Sequence, residues 1–277
     1  MFTVRQASVP VLPAGGAPLR VLHVSDIHLA PWQQLKLGFV RSLASLQPDL
    51  IVNTGDNISH PDSIELLMSA LGELREVPGV FIFGSNDYEA PRFKNPLRYV
   101  IDGRSTKDAN ATALPTERLH EQFTGAGWHD LNNRRAELTV AGYRIGFRGT
   151  DDAHHDRDDY AAVAGPDAGV DFSVGVTHAP YRRVLDAMAA DGVELIFAGH
   201  THGGQVCVPG YGALTTNCDL PTKQAKGLSW HEHAGRRVPL HVSAGVGTSP
   251  FAPVRFACRP EVTLLTLLPQ PQPGAAA

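Results

Sequence analysis

Five short stretches carry the residue types that hold metal ions or move protons. They are Asp26-Ile27-His28, Gly55-Asp56-Asn57, Gly84-Ser85-Asn86-Asp87, His178, and Gly199-His200-Thr201-His202-Gly203-Gly204. Carboxylates, imidazoles and an amide without a thiolate suit Mn, Fe or Zn better than calcium or a closed structural zinc site. Asp26 and His28 are spaced i, i+2, as are His200 and His202, so an extended or turning segment puts both members of a pair on one side. The neighbouring glycines let the backbone turn beside an ion without a Cβ clash. Asp, His, His and a shared Asp would complete one ion; the shared Asp, Asn, His and His would complete a second. Two divalent ions ~3.5–4 Å apart would outweigh two carboxylates and a bridging hydroxide, leaving a net charge near plus one. Such a site attracts phosphate and stabilises charge growing on its oxygens.

Each stretch follows an apolar run. Residues 19–26, 48–56 and 79–87 read as strands separated by helices at 33–47 and 61–77, a βαβαβ order that implies parallel neighbours. A helix at 115–125 precedes two antiparallel strands, "RRAELTV" and "YRIGFRG", joined at "AG". Further buried strands are expected at 170–178, 193–200, 239–245 and 261–268, with a helix at 180–192 that stops at Gly192. Ligands bind beyond the carboxyl ends of the strands in open α/β sheets, so five strand ends deliver the candidate ligands to one rim. The expected fold class is α/β: two packed mixed β-sheets flanked by helices, forming one domain over 1–268. A candidate cap loop spans 88–114 and includes Tyr88 and Tyr99; the tail 269–277 is low in complexity and expected to fray.

With 277 residues, 43% of them hydrophobic and 19% charged, the chain can bury a full core. A net charge of −4 offers no basic field for a nucleic-acid polymer. No segment reaches the ~18 apolar residues of a membrane span, and the first twenty residues lack the apolar core of a signal peptide. The expectation is a cytoplasmic protein, with peripheral membrane association left open. Cys207, Cys218 and Cys258 show no CxxC spacing and read as free thiols.

The ordered motifs "SDIH", "TGDN", "GSND", "THAP" and "GHTHGGQ" resemble the signature of the calcineurin-like metallophosphoesterase superfamily: D-x-H, G-D, G-N-H, H and G-H-x-H. They span 26–202, about two-thirds of the chain. The last motif and the length also resemble a bacterial branch with membrane-associated and UDP-diacylglucosamine pyrophosphatase-like members. The resemblance implies a four-layer α/β/β/α metallophosphatase sandwich. It implies a first metal on Asp26, His28 and His202, a bridging Asp56, and a second metal on Asn86, His178 and His200. It further implies a dinuclear phosphoesterase in which a bridging hydroxide attacks a phosphomonoester, phosphodiester or pyrophosphate. The alternative is a non-catalytic scaffold of the same fold that binds proteins.

The chain departs from the family at "GSNDY", where G-N-H is expected. Matching Asn to Asn86 keeps an amide ligand, replaces the motif glycine by Ser85 and puts Asp87 where the family's catalytic histidine stands. Asn86, Asp87 and His200 are therefore the catalytic candidates, with Asp87 a weak or absent general acid beside the leaving group because nearby cations lower its pKa. Asn57, Tyr88 and His154 are candidate substrate residues. Asn57 alternatively stabilises its turn, and the "DDAHHDRDDY" loop carrying His154 reads as solvated. His23 reads as a core or supporting histidine, and His231 and His233 as members of a surface hairpin. The substrate class is a small phosphate compound, nucleotide or lipid-linked; a nucleotide favours aromatic residues in the cap, a lipid an apolar rim.

Overall fold

The computed structural model describes residues 1–92 and 111–271. Residues 93–110, which include Tyr99 and most of the candidate cap loop, and tail residues 272–277 lie outside the described residues. The strands are β1 (Thr3–Leu12), β2 (Leu19–Val24), β3 (Leu50–Asn53), β4 (Gly79–Phe81), β5 (His129–Asp130), β6 (Arg134–Val140), β7 (Tyr143–Gly149), β8 (Phe172–Thr177), β9 (Leu195–Ala198), β10 (Cys207–Val208), β11 (Gly212–Ala213), β12 (Gly227–His233), β13 (Arg236–Val242) and β14 (Glu261–Pro269). The α-helices are α1 (Gln34–Ser42), α2 (Ser63–Leu71), α3 (Ser85–Tyr88), α4 (Thr116–Gly125) and α5 (Arg182–Ala190).

Period-two alternation sets the layers. In β2 and β3, Leu19, Val21, Leu50 and Val52 point one way and meet Ile145, Phe147, Val174 and Val176 of the opposite sheet. Leu22, Val24 and Ile51 point the other way, against Leu37, Val40, Leu67 and Phe123 of α1, α2 and α4. On the far side, Val184, Leu185 and Met188 of α5 cover Ile196, Leu240 and Val242. The result is helices, sheet, sheet, helix. The first sheet runs β1-β14-β2-β3-β4-β5 and the second β12-β13-β9-β8-β7-β6. Strands β2, β3 and β4 are parallel in the first, and β7, β8 and β9 in the second.

The expected fold class is present, with local differences. The N-terminal strand β1, for which no element was expected, pairs in parallel with β14 along the sheet edge. The expected helix at 61–77 ends at Leu71 and continues as a 3₁₀ turn, because Gly72 takes a φ of 50°. The expected strand 79–87 stops at Phe81, and Ser85–Tyr88 turn into a one-turn helix. The β6–β7 hairpin turns on Ala141 and Gly142, both at positive φ (51° and 87°), which matches the twist of the strands. The 151–160 stretch is solvated only in part: Asp156, Arg157 and Asp159 are exposed, whereas Ala153 in a 3₁₀ turn and Asp152, which caps it, are buried. His231 and His233 do lie on a hairpin, β12–β13, and both rings approach Asp186 of α5.

One polar pair sits between the sheets. His23 of β2 and His241 of β13 share a 2.8 Å contact between their Nδ1 atoms, beside the ring of Phe197. Burial, with His241 close by, holds His23 well below the usual imidazole range, and burial takes His241 down to about 4. Both are neutral in the folded chain, whereas the unfolded chain protonates them near 6.5. Their contribution to stability is therefore complete above pH ~6.5 and is lost as pH falls toward 4. The expected loss is about 1.4 kcal/mol per pH unit for each histidine. In urea titrations with EDTA between pH 7.5 and 4.5, His23→Phe/His241→Leu should show a shallower acid limb than wild type; equal slopes would contradict a neutral pair.

Candidate metal centre

All five motifs reach one end of the sandwich, just beyond β2, β3, β4, β8 and β9. Backbone hydrogen bonds lash their loops together: Asp26 N donates to Gly55 O (2.8 Å), His28 N to Asp56 O (2.8 Å) and Gly199 N to His178 O (2.9 Å). Asp26, His28, Asp56, His200 and His202 all take positive φ, at 48°, 45°, 55°, 69° and 49°. This region is costly for residues with a Cβ, and such outliers collect at functional sites. Glycines make the close approach possible. A Cβ on Gly84 would overlap Asp56 and His178, and one on Gly55 would overlap the backbone of Gly84.

Asp26, His28, Asp56 and His202 each present one donor atom, and these atoms lie within 4.8 Å of one another. His28 Nε2 is 3.2 Å from Asp56 Oδ2 and 3.3 Å from His202 Nε2, and His202 Nε2 is 3.6 Å from Asp26 Oδ1. Asp56 also faces the other ligand set: its Oδ2 is 3.6 Å from His178 Nε2 and accepts from Asn86 Nδ2 at 2.8 Å, while its Oδ1 accepts from Asn86 N at 2.8 Å. The Asn86 amide presents nitrogen to Asp56; turned over about its last torsion it presents oxygen. His200 Nε2 lies 3.2 Å from the carbonyl of Asn217, which leaves Nδ1 as the ring nitrogen that would be open to a metal.

The donor set fits divalent ions on an observation of its own. His178 Nε2 is buried with no hydrogen-bond partner, while its Nδ1 donates to Thr54 O at 2.6 Å. That hydrogen bond keeps a proton on Nδ1, so once Nε2 gives up its own proton to a cation its lone pair points toward Asp56, the usual setting of a metal-binding imidazole. His202 repeats the pattern, with Nδ1 3.1 Å from Gly247 O. Burial opposes the charge of Asp56, but His178 and His28 overcome it and hold the carboxyl well below its usual range. Burial also opposes a charged His178, yet the adjacent Asp56 lifts its imidazole to about 10. A cation at this place would take over the role that protons play in both shifts.

Asp87 is a correction. Its carboxylate does not stand beside a leaving group. It is buried and accepts from Asn57 N (2.7 Å), Gly84 N (3.1 Å) and Asn57 Nδ2 (3.2 Å). Burial first, and then repulsion from Asp56, pushes its carboxyl up to about 7. Asn57 is spent in the same network, with its amide oxygen accepting from Asn53 Nδ2 at 2.7 Å. Tyr88 turns aside as well: its hydroxyl donates to Asp151 Oδ1 at 2.8 Å, and the Arg157 guanidinium covers its ring. Asn57 and Tyr88 therefore do not face the cavity above the centre, whereas His154 does, with its ring 4.5 Å from that of His200.

Sequence reasoning missed a buried relay behind Asp26. Ser25 Oγ donates to Asp26 Oδ2 (2.5 Å) and accepts from Thr54 Oγ1 (2.7 Å), which is 2.9 Å from His23 Nε2. The carboxylate only accepts, so each hydroxyl proton points toward it. His23 then donates through Nε2 and accepts His241 Nδ1–H. Gly199 leaves room for this chain, since a Cβ there would overlap Ser25 and Asp26. Lys36 was missed too. Its Nζ donates to Ile27 O (2.6 Å) and His28 O (2.9 Å), bracing the first motif. Its signal in the sequence is a lysine beside Leu37 and Val40 on the buried face of α1.

The profile of the calcineurin-like phosphoesterase family matches residues 19–204. The chain belongs to that family. It is 25% identical over 264 residues to a Bacillus subtilis (strain 168) protein named "Uncharacterized metallophosphoesterase YkuE", covering 93% of this chain and 82% of that one. It is 26% identical over 260 residues to "Phosphodiesterase YaeI" of Escherichia coli (strain K12), covering 91% and 83%. It is 28% identical over 219 residues to a Bos taurus "Transmembrane protein with metallophosphoesterase domain", covering 73% of this chain and 45% of that one. Membership makes this chain a phosphoester hydrolase of the type that uses divalent metals. Among the described residues, no helix is long and apolar enough to cross a membrane.

If the relay orients Asp26, Thr54→Val should weaken Mn²⁺ binding by ~10–100-fold in isothermal titration. Thr54→Ser, which keeps the hydroxyl, should bind like wild type. An unchanged dissociation constant in Thr54→Val would contradict the relay.

Proposed function

We propose that this chain hydrolyses a small phosphate ester or pyrophosphate with two divalent ions. Asp26, His28, Asp56 and His202 would hold one ion; Asp56, Asn86, His178 and His200 would hold the other. The observation that carries this reading is Asp56, whose Oδ2 faces His28 Nε2 at 3.2 Å on one side and the unpartnered His178 Nε2 at 3.6 Å on the other. Divalent ions bound there supply Lewis acidity and lower the pKa of water, and the mixed N/O donors suit Mn, Fe or Zn.

The chain's own residues do the rest. Their carbonyl-bonded imidazoles are fixed before substrate arrives, so little reorganisation accompanies binding. His154 lines the approach beside His200 as a neutral ring, because burial, helped by the neighbouring imidazoles His200 and His155, drives its pKa down to about 2. Asp87 faces inward, so the leaving oxygen gains no proton from it. Esters with acidic leaving groups should therefore be turned over best. The relative named a transmembrane protein supports work close to a membrane surface, and a lipid-linked or nucleotide phosphate is the substrate class.

The test is metal content together with hydrolysis of bis(4-nitrophenyl) phosphate in Mn²⁺. Wild type should bind two ions per chain and be active, and Asp56→Asn should lose at least about 100-fold in kcat/KM. Less than one ion per chain after reconstitution would favour the protein-binding scaffold. Retained activity in Asp56→Asn would refute its bridging role.

A further inference from the structure

The cavity above the metal-ligand residues has a volume of about 580 Å³, and its floor includes His28, Asp56, Asn86, His200 and His202. One wall is apolar and half open to solvent. Val206 is 45% exposed, Leu214 53%, Phe251 49% and Val254 65%, and all four line the cavity. They come from two segments that hydrogen bonds join into one ledge. Val206 and Phe256 form a parallel bridge, with Cys207 N donating to Phe256 O (2.9 Å) and Phe256 N to Gln205 O (3.0 Å). Gln205 Nε2 donates to Ala252 O (2.8 Å) and Val254 O (3.1 Å). Gln205 follows the loop that carries His200 and His202, so the ledge is built onto the ligand loop itself. Phe256, 57% exposed, carries the apolar surface outward from Val206.

Exposed apolar side chains gathered at one cavity mark a binding groove rather than ordinary surface. The composition of this wall narrows the occupant. It offers aliphatic side chains and one phenyl ring, and the Gln205 amide is spent on backbone carbonyls. A nucleobase, which needs stacking faces and hydrogen-bond partners, finds one ring on this wall and turns for the rest to His154, His155 and Asn217 of the same cavity, whereas a hydrocarbon chain needs only the apolar area of the wall itself. The floor suits the phosphate and the wall suits a chain attached to it.

We propose that the substrate is an amphiphilic phosphate ester whose hydrocarbon chain lies on the ledge formed by Val206, Leu214, Phe251 and Val254. This rests on the phosphoesterase reading above and names its substrate class. The ledge makes these four side chains the determinants of specificity.

The test is kcat/KM in Mn²⁺ for methyl, butyl and octyl 4-nitrophenyl phosphate, each below its micelle-forming concentration. Water's oxygen bonds to phosphorus, the bond from phosphorus to the nitrophenolate oxygen breaks, and the water protons pass to product oxygens or solvent. A fully buried methylene is worth about four-fold, so a half-open ledge should give roughly two-fold or more per methylene until it is filled. The octyl-to-methyl ratio should therefore be large for wild type and fall at least ten-fold in Leu214→Ser/Phe251→Ser/Val254→Ser. The ratio within one protein cancels any general loss of activity. A flat wild-type series overturns the proposal, as does an unchanged ratio in the triple variant or faster cleavage of thymidine 5′-(4-nitrophenyl phosphate) than of the octyl ester. Absence of hydrolysis for every ester, methyl included, overturns the phosphoesterase reading and the ledge with it.

Discussion

One buried carboxylate, Asp56, ties the loops of both sheets together. It stands at the end of β3 in the first sheet and faces His178 at the end of β8 in the second. It also meets His28 from the neighbouring strand end and both nitrogens of Asn86. A charged group in the interior persists only when it is paired. Imidazoles and amide donors pair it here, and cations would pair it more strongly. The apolar core packs the two sheets together, and at this rim their joining and the chemistry rest on the same side chain.

Fixing so many polar groups in one place costs backbone strain and removes side chains nearby. Five ligand candidates sit at positive φ, and Gly55, Gly84 and Gly199 stand where any Cβ would overlap a ligand or its support. The relay through Ser25, Thr54, His23 and His241 extends this order into the inter-sheet core. A polar chain among Phe197 and its apolar neighbours is tolerated because every member has a partner and both histidines are neutral. The ledge is built by the opposite choice: apolar side chains stay exposed where they flank the cavity.

The layers and the ordered ligand candidates were legible because apolar runs with turn signals place strands, and short motifs after strands mark their ends. Of the polar relay behind them, only His23 was anticipated, as a supporting histidine. Ser25 and Thr54 are unremarkable in sequence; only the crossing of β2, β3 and β13 aligns them with His241. Asp87 was misread for a related reason. Its neighbours in sequence suggested two cations, but the turn of α3 swings its carboxylate inward to the amides of Gly84 and Asn57. His154 looked solvated within an acidic loop, yet burial of Asp152, which accepts from Ser85 Oγ at 2.6 Å, brings that loop against His200. Nothing in local patterning anticipates such long-range contacts.

In the proposed centre Asp56 serves two metal positions at once. The most direct measurement is anomalous diffraction at the manganese edge from crystals grown with Mn²⁺. Two peaks should both contact Asp56, one also touching Asp26, His28 and His202 and the other Asn86, His178 and His200. No peak at this end of the sandwich, or a single peak that does not touch Asp56, would contradict it.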